Sequence, residues 1–126
     1  MSNIRVGFEV EASAARLKIV LNALVCLNLL EMSAKKYPPL YRSGVRYRRE
    51  PQIPGRYEQW LTIKDLVARG HGDCEDLAST RVAELRRLGV RAIPWLLKNG
   101  PTWHVVVRYP DGRIEDPSRI LGMGKE

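Results

Sequence analysis

The segment Gly70-His71-Gly72-Asp73-Cys74-Glu75-Asp76-Leu77-Ala78 sets glycines and an aspartate directly before a cysteine. The cysteine in turn directly precedes an apolar run at helical spacing: Leu77, Ala78, Val82, Leu85 and Leu88. This pattern predicts a tight turn opening a helix, with Asp73 as N-cap and Asp76 as an approximate capping-box partner. Cys74 then occupies the first helical position. There, unpaired backbone N–H groups and the helix dipole favour a thiolate and can cradle an oxyanion. Glu75 and Asp76 act the other way, because nearby carboxylates raise a thiol pKa, so a thiolate here needs a cationic neighbour.

A candidate for that neighbour comes from the run Trp103-His104-Val105-Val106-Val107-Arg108-Tyr109, which is strongly β-prone. It leads into Tyr109-Pro110-Asp111-Gly112-Arg113. Pro110 and Asp111 suit the centre of a type I turn and Gly112 the left-handed residue after it, which predicts a three-residue hairpin loop. If Tyr109 pairs with Arg113, Val106 faces Asp116, and Asp116 lies diagonally from His104 on the same sheet face. A two-residue loop would turn Asp116 to the opposite face. A sheet face carrying His104 and Asp116 and packed against the start of the cysteine helix would assemble a Cys–His–Asp triad. His104 would take the thiol proton and, as imidazolium, supply the cation, while Asp116 would hold its ring and tautomer. Each residue also has a plainer role: a packed cysteine, a strand histidine with a satisfied hydrogen bond, and an aspartate ending a strand before Pro117.

The rest of the chain must position these groups. With 126 residues, 44% hydrophobic and 28% charged, a single domain spanning residues 1–126 is expected. The net charge of +7 permits an acidic partner without demanding one. Ile4, Val6, Phe8 and Val10 alternate as in a half-buried strand. Ser13 to Met32 is helical in pattern and apolar nearly all round from Ile19 to Leu30. It reads as the central packing helix, with Cys26 as a small buried hydrophobe. Asn22 and Asn28 interrupt it, and its uncharged run falls short of the roughly 18 to 20 residues a bilayer span needs, so no membrane role is expected. The Pro-, Arg- and Tyr-rich stretch from Lys35 to Arg56 reads as loop, with a short edge strand at Val45 to Arg49. Its aromatics and arginines could also stack and neutralise single-stranded nucleic acid, though such loops more often lie solvated on apolar surface. Thr62 and Asp65 suggest a cap for a short helix, Ile63 to Arg69, that Gly70 ends. After the cysteine helix, Gly89 is a C-cap signal and Val90 to Leu97 a strand in which Pro94 argues for an edge or a bulge. Two cysteines without a signal-peptide layout point to an intracellular, reducing setting. Cys26, His71, Cys74 and His104 lack the paired ligand spacing of a zinc site.

Gly72-Asp73-Cys74-Glu75-Asp76-Leu77-Ala78, Leu85-Arg86-Arg87-Leu88-Gly89, Val90-Arg91-Ala92, His104 on a strand and Asp116-Pro117 together resemble the core of the transglutaminase-like cysteine peptidase superfamily. Tyr47 and Gln59-Trp60-Leu61-Thr62 are similar to its bacterial members, and the compact size and the ending from Glu115 to Met123 to small phage-encoded ones. The resemblance spans roughly residues 45 to 120. It implies an α+β fold with a papain-like core, the cysteine helix packed on an antiparallel sheet. It also implies Cys74 as nucleophile, His104 as general base and acid, and Asp116 as orienting residue. Papain-like sites complete the oxyanion hole with the cysteine's own N–H and an upstream side chain. Tyr47, Gln59 and Trp60 compete for that place, with Gln59 preferred because an amide donor suits an oxyanion.

The expected function is therefore thiol-dependent acyl transfer on a protein or peptide, by peptide or isopeptide cleavage, without metal or other cofactor. The alternatives are a crosslinking transamidase, a catalytically silent binding or assembly module of a phage particle, and a nucleic acid binder.

Overall fold

The computed structural model describes residues 9–51 and 53–126. In chain order its elements are α1 (Ala14–Ala34), β1 (Arg46–Tyr47), α2 (Ile63–Arg69), β2 (His71–Gly72), α3 (Cys74–Arg87), β3 (Ile93–Asn99), β4 (Thr102–Arg108), β5 (Ile114–Glu115) and α4 (Pro117–Ile120). This is a mixed α+β arrangement, with helices packed on small sheets. Ile4, Val6 and Phe8 of the expected first strand lie outside the described residues.

The packing centre is α3. Its first turn forms a reciprocal capping box between Asp73 and Asp76, and the Asp73 N–H donates to Asp76 at 3.0 Å. Leu77, Ala78, Val82 and Ala83 are fully buried. In the main core, Ala78, Val82, Ala83 and Leu85 of α3 join Leu21 and Val25 of α1 and Val105 and Val107 of β4. Each fully buried Leu or Val contributes about 1.5–3 kcal/mol. A second cluster joins Leu77 to Tyr47, Leu61, Leu66 and Leu121, tying β1 and α2 to the C-terminal turn.

Helix α1 is not the all-round buried centre its composition suggests. Leu17, Leu21, Leu24, Val25, Asn28 and Met32 face inward, while Ile19, Leu27 and Leu30 are exposed. Cys26, expected to be buried, is exposed as well. The physical reason is partnership: α1 packs against α3, β3 and α2 along one side only, so an apolar helix surface buries just one stripe. By length and mean hydropathy (1.6) α1 would suffice to cross a bilayer, and a third of that window is buried inside the fold. Asn28, which interrupts the apolar run, accepts the Ile63 N–H at 2.7 Å and so caps α2 from a distance. Thr62, the expected cap, forms no capping bond; its hydroxyl donates to Glu31 at 3.0 Å.

The antiparallel sheet has the order β3-β4-β5. The first of these strands begins at Ile93 rather than Val90, because the Val90 N–H is spent on the Leu85 carbonyl in closing α3. Pro94 sits on the outer strand, where its missing N–H removes nothing from the ladder's free side. In the hairpin, Gly112 has φ of 91°, the left-handed conformation that favours glycine. The Tyr109 N–H donates to Arg113 and the Gly112 N–H to Tyr109, each at 2.9 Å. Arg108 then pairs with Ile114 and Val107 with Glu115, which brings Val106 opposite Asp116 in the same register.

The short strand expected near Val45 to Arg49 is present as β1. Its partner is the segment leading into the cysteine: β1 runs parallel to β2, with Arg46 opposite His71 and Tyr47 opposite Gly72. Gly72 is needed for closeness rather than for an unusual φ. A Cβ there would lie 2.5 Å from Leu66 Cδ1 and 3.1 Å from Asp76 Cβ.

Candidate active site

The hairpin register delivers its polar pair. His104 Nε2 lies 2.8 Å from Asp116 Oδ2, and both side chains are about one-fifth exposed (20% and 18%). Asp116 also ends β5 and caps α4, its Oδ1 accepting the Ser118 N–H at 3.1 Å and the Arg119 N–H at 3.4 Å. Burial raises the Asp116 pKa, but the bond and charge of His104, together with these N–H groups, outweigh it and hold the carboxyl below the usual range. An ionised Asp116 makes Nε2 the protonated nitrogen of a neutral His104. That leaves Nδ1 as the free acceptor.

Cys74 lies at the N-terminus of α3, 7% exposed. Alternation along β4 directs the N–H groups of Tyr109, Val107 and Val105 toward the β5 edge. There β5 stops at Glu115, and the Val105 N–H is close enough to the Cys74 sulfur to act on its pKa. Cys74 shares the main core cluster with Val105, the residue next to His104. The thiol donates to Glu75 Oε2 at 3.4 Å and shares no hydrogen bond with His104. Burial raises its pKa far above the ordinary value, the Glu75 charge adds to this, and the Val105 N–H works against both. The Cys74 N–H, expected in an oxyanion hole, donates to Asp73 Oδ1 at 2.7 Å.

The three oxyanion candidates occupy different places. Tyr47 is buried across the β1–β2 ladder from Gly72. Its pKa is pushed up to about 12, by burial first and then by Asp73 and Cys74, so its hydroxyl is a neutral donor beside the cysteine turn. Trp60 packs against the cluster that contains Cys74. Gln59 is exposed and lines a cleft with Gly72 and Asp73, its own N–H donating to Glu50 at 3.0 Å.

Several participants have no local signal in the sequence. Glu115, on β5 beside Asp116, accepts from Tyr41 at 2.6 Å, from Arg81 Nε at 2.7 Å and from Tyr109 at 2.7 Å. This network braces the strand end that carries Asp116. Glu75, visible in the sequence only as a charge opposing the thiolate, is 3% exposed, and its Oε1 has no hydrogen-bond partner. Burial, the nearby Glu58 carboxyl and the charges of Asp76 and Asp73 raise its pKa well above the carboxylate range. Ligand atoms of Glu50, Glu58 and Glu75, and separately of Asp73, Cys74 and Glu75, come within 4.8 Å of one another. These are the groups that could share a cation.

No family model, curated protein or solved structure matches this chain.

Proposed function

We propose that the protein is a thiol-dependent acyl-transfer enzyme with a papain-like core, a cysteine peptidase or amidase acting on peptide or isopeptide bonds. The observation that carries this reading is the 2.8 Å pair between Asp116 and His104, whose strand neighbour Val105 has its N–H near enough to the Cys74 sulfur to lower the thiol pKa. Cys74 attacks the carbonyl carbon, forming a C–S bond, and its proton passes through His104 Nδ1 to the leaving amine as the C–N bond breaks. Water, deprotonated by the same imidazole, then adds to the thioester, releasing the acid and restoring the thiol. Tyr47, whose pKa is raised in part by the charges of Asp73 and Cys74, is taken as the oxyanion donor in this reading. Hydrolysis is preferred to transamidation because the one-fifth exposed His104 side chain remains within reach of water.

The test is the alkylation rate of Cys74 between pH 5 and 8, read by mass spectrometry with the exposed Cys26 as internal control. Reaction that persists well below the ordinary thiol pKa of about 8.5 and is lost in His104→Ala supports the enzyme. A Cys74 that stays inert, or reacts equally without His104, removes it. That result would favour a second reading, a silent binding or assembly module. The specific observation behind this alternative is that the buried thiol bonds Glu75 and not His104.

A further inference from the structure

A cleft of about 280 Å³ opens beside the cysteine turn, walled by Gly72 and Asp73 and rimmed by Arg48, Arg49, Arg69 and His71. It holds both signs of charge, but the two are bound differently. Of its carboxylates, Asp73 accepts the Glu50 and Cys74 N–H groups, Asp76 those of Leu61 and Asp73, and Glu50 that of Gln59. Each is therefore committed to holding the backbone together. The guanidinium groups are not: among the described residues, Arg48, Arg49 and Arg69 form no ion pair or side-chain hydrogen bond. All three are exposed at the rim. Arg48 and Arg69 lie around His71, which is opposite Arg46 in the β1–β2 ladder and lines the same cleft. Burial and the charges of Arg48 and Arg69 lower its pKa.

We infer that this cleft is a subsite for an anionic side chain of the substrate, a carboxylate or a phosphoryl group near the scissile bond. The inference rests on the acyl-transfer reading for the word substrate, and on the cleft alone for the anion. Guanidinium forks bind both oxyacids bidentately, and three unpaired ones around a space of side-chain size leave a docked carboxylate as their partner. A nucleic acid strand fits less well, since among the described residues no Trp, Tyr or Phe lines the cleft to stack a base.

The experiment is an amide and imidazole NMR titration of the full chain with capped Ala-Glu-Ala, its phosphoserine counterpart, its glutamine counterpart and oligothymidylate. Cys74 alkylation is recorded on the same samples. The anionic peptides are expected to shift the Gly72 and Asp73 amides and the His71 ring, the tighter of the two naming the anion, while the glutamine peptide leaves them unmoved. The Arg48→Gln/Arg69→Gln double variant should weaken anionic-peptide binding at least about tenfold. Equal binding of the glutamine peptide, no loss in the double variant, or displacement of the acidic peptide by oligothymidylate overturns the subsite. Absence of binding with a reactive Cys74 overturns the subsite alone. Binding with an inert Cys74 overturns the acyl-transfer reading and keeps the cleft as an anion site.

Discussion

At the scale of the residue, the protonation of Cys74 is contested by groups that the chain places next to one another. Burial and Glu75 hold the proton on sulfur, while the Val105 N–H opposes them. Glu75→Gln removes the opposing charge and keeps the side chain's shape, so the thiol pKa should fall. Cys74 alkylation at pH 8 should then rise about tenfold for each unit of that fall, measured against Cys26. An unchanged or slower rate would show that Glu75 does not govern the thiol. The contact of Glu75 with the thiol could not be read from the sequence, since adjacent positions at a helix start do not by themselves say which way either side chain turns.

At the scale of the element, the three-residue turn does the positioning. The Tyr109–Arg113 pairing and the left-handed Gly112 set the register that brings Asp116 to His104. Deleting Gly112 shortens the loop and moves Asp116 to the other sheet face. The expected result is loss of the hydrogen-bonded His104 Nε2 proton in NMR spectra and Cys74 reactivity equal to that of His104→Ala. Gly112→Ala, which strains the turn by about 1 kcal/mol but preserves its length, should retain the pair. Retention of the His104–Asp116 bond after the deletion would show that packing, not turn length, sets the register.

At the scale of the whole molecule, the carboxyl groups under the cysteine turn make folding sensitive to pH. Burial pushes Asp76 up to about 7, against the opposing N–H bonds of Leu61 and Asp73, and Glu75 is raised as well. Both folded pKa values exceed the unfolded ones of about 3.9 and 4.3. Their stabilising contribution is therefore fully present below about pH 4 and is lost as pH rises through the folded values. Urea unfolding should show stability falling between pH 5 and 7, by at most about 1.4 kcal/mol per pH unit for each group. Glu75→Gln should flatten that slope. Asp116, whose folded pKa is lowered, acts with the opposite sign and only in the acid range, its contribution present above about pH 3.9 and lost as pH falls through the folded value. Stability that is level or rising from pH 5 to 7 would contradict the assignment.

The sequence by itself determined the features that neighbouring residues settle among themselves: the Asp73–Asp76 cap at Cys74, the helix Ile63–Arg69 ended by Gly70, and the hairpin whose turn chemistry pairs His104 with Asp116. Only the tertiary structure decided which side of α1 is covered, leaving Cys26 in solvent. It also decided that β1 pairs in parallel with the segment before the cysteine, that Asn28 rather than Thr62 caps α2, that Arg81 and two tyrosines brace Glu115, and that three unpaired arginines converge beside Gly72. Turns and caps depend on dihedral preferences and hydrogen bonds that span only a few residues, whereas burial and long-range pairing depend on which surfaces meet, and no single stretch of the chain carries that information.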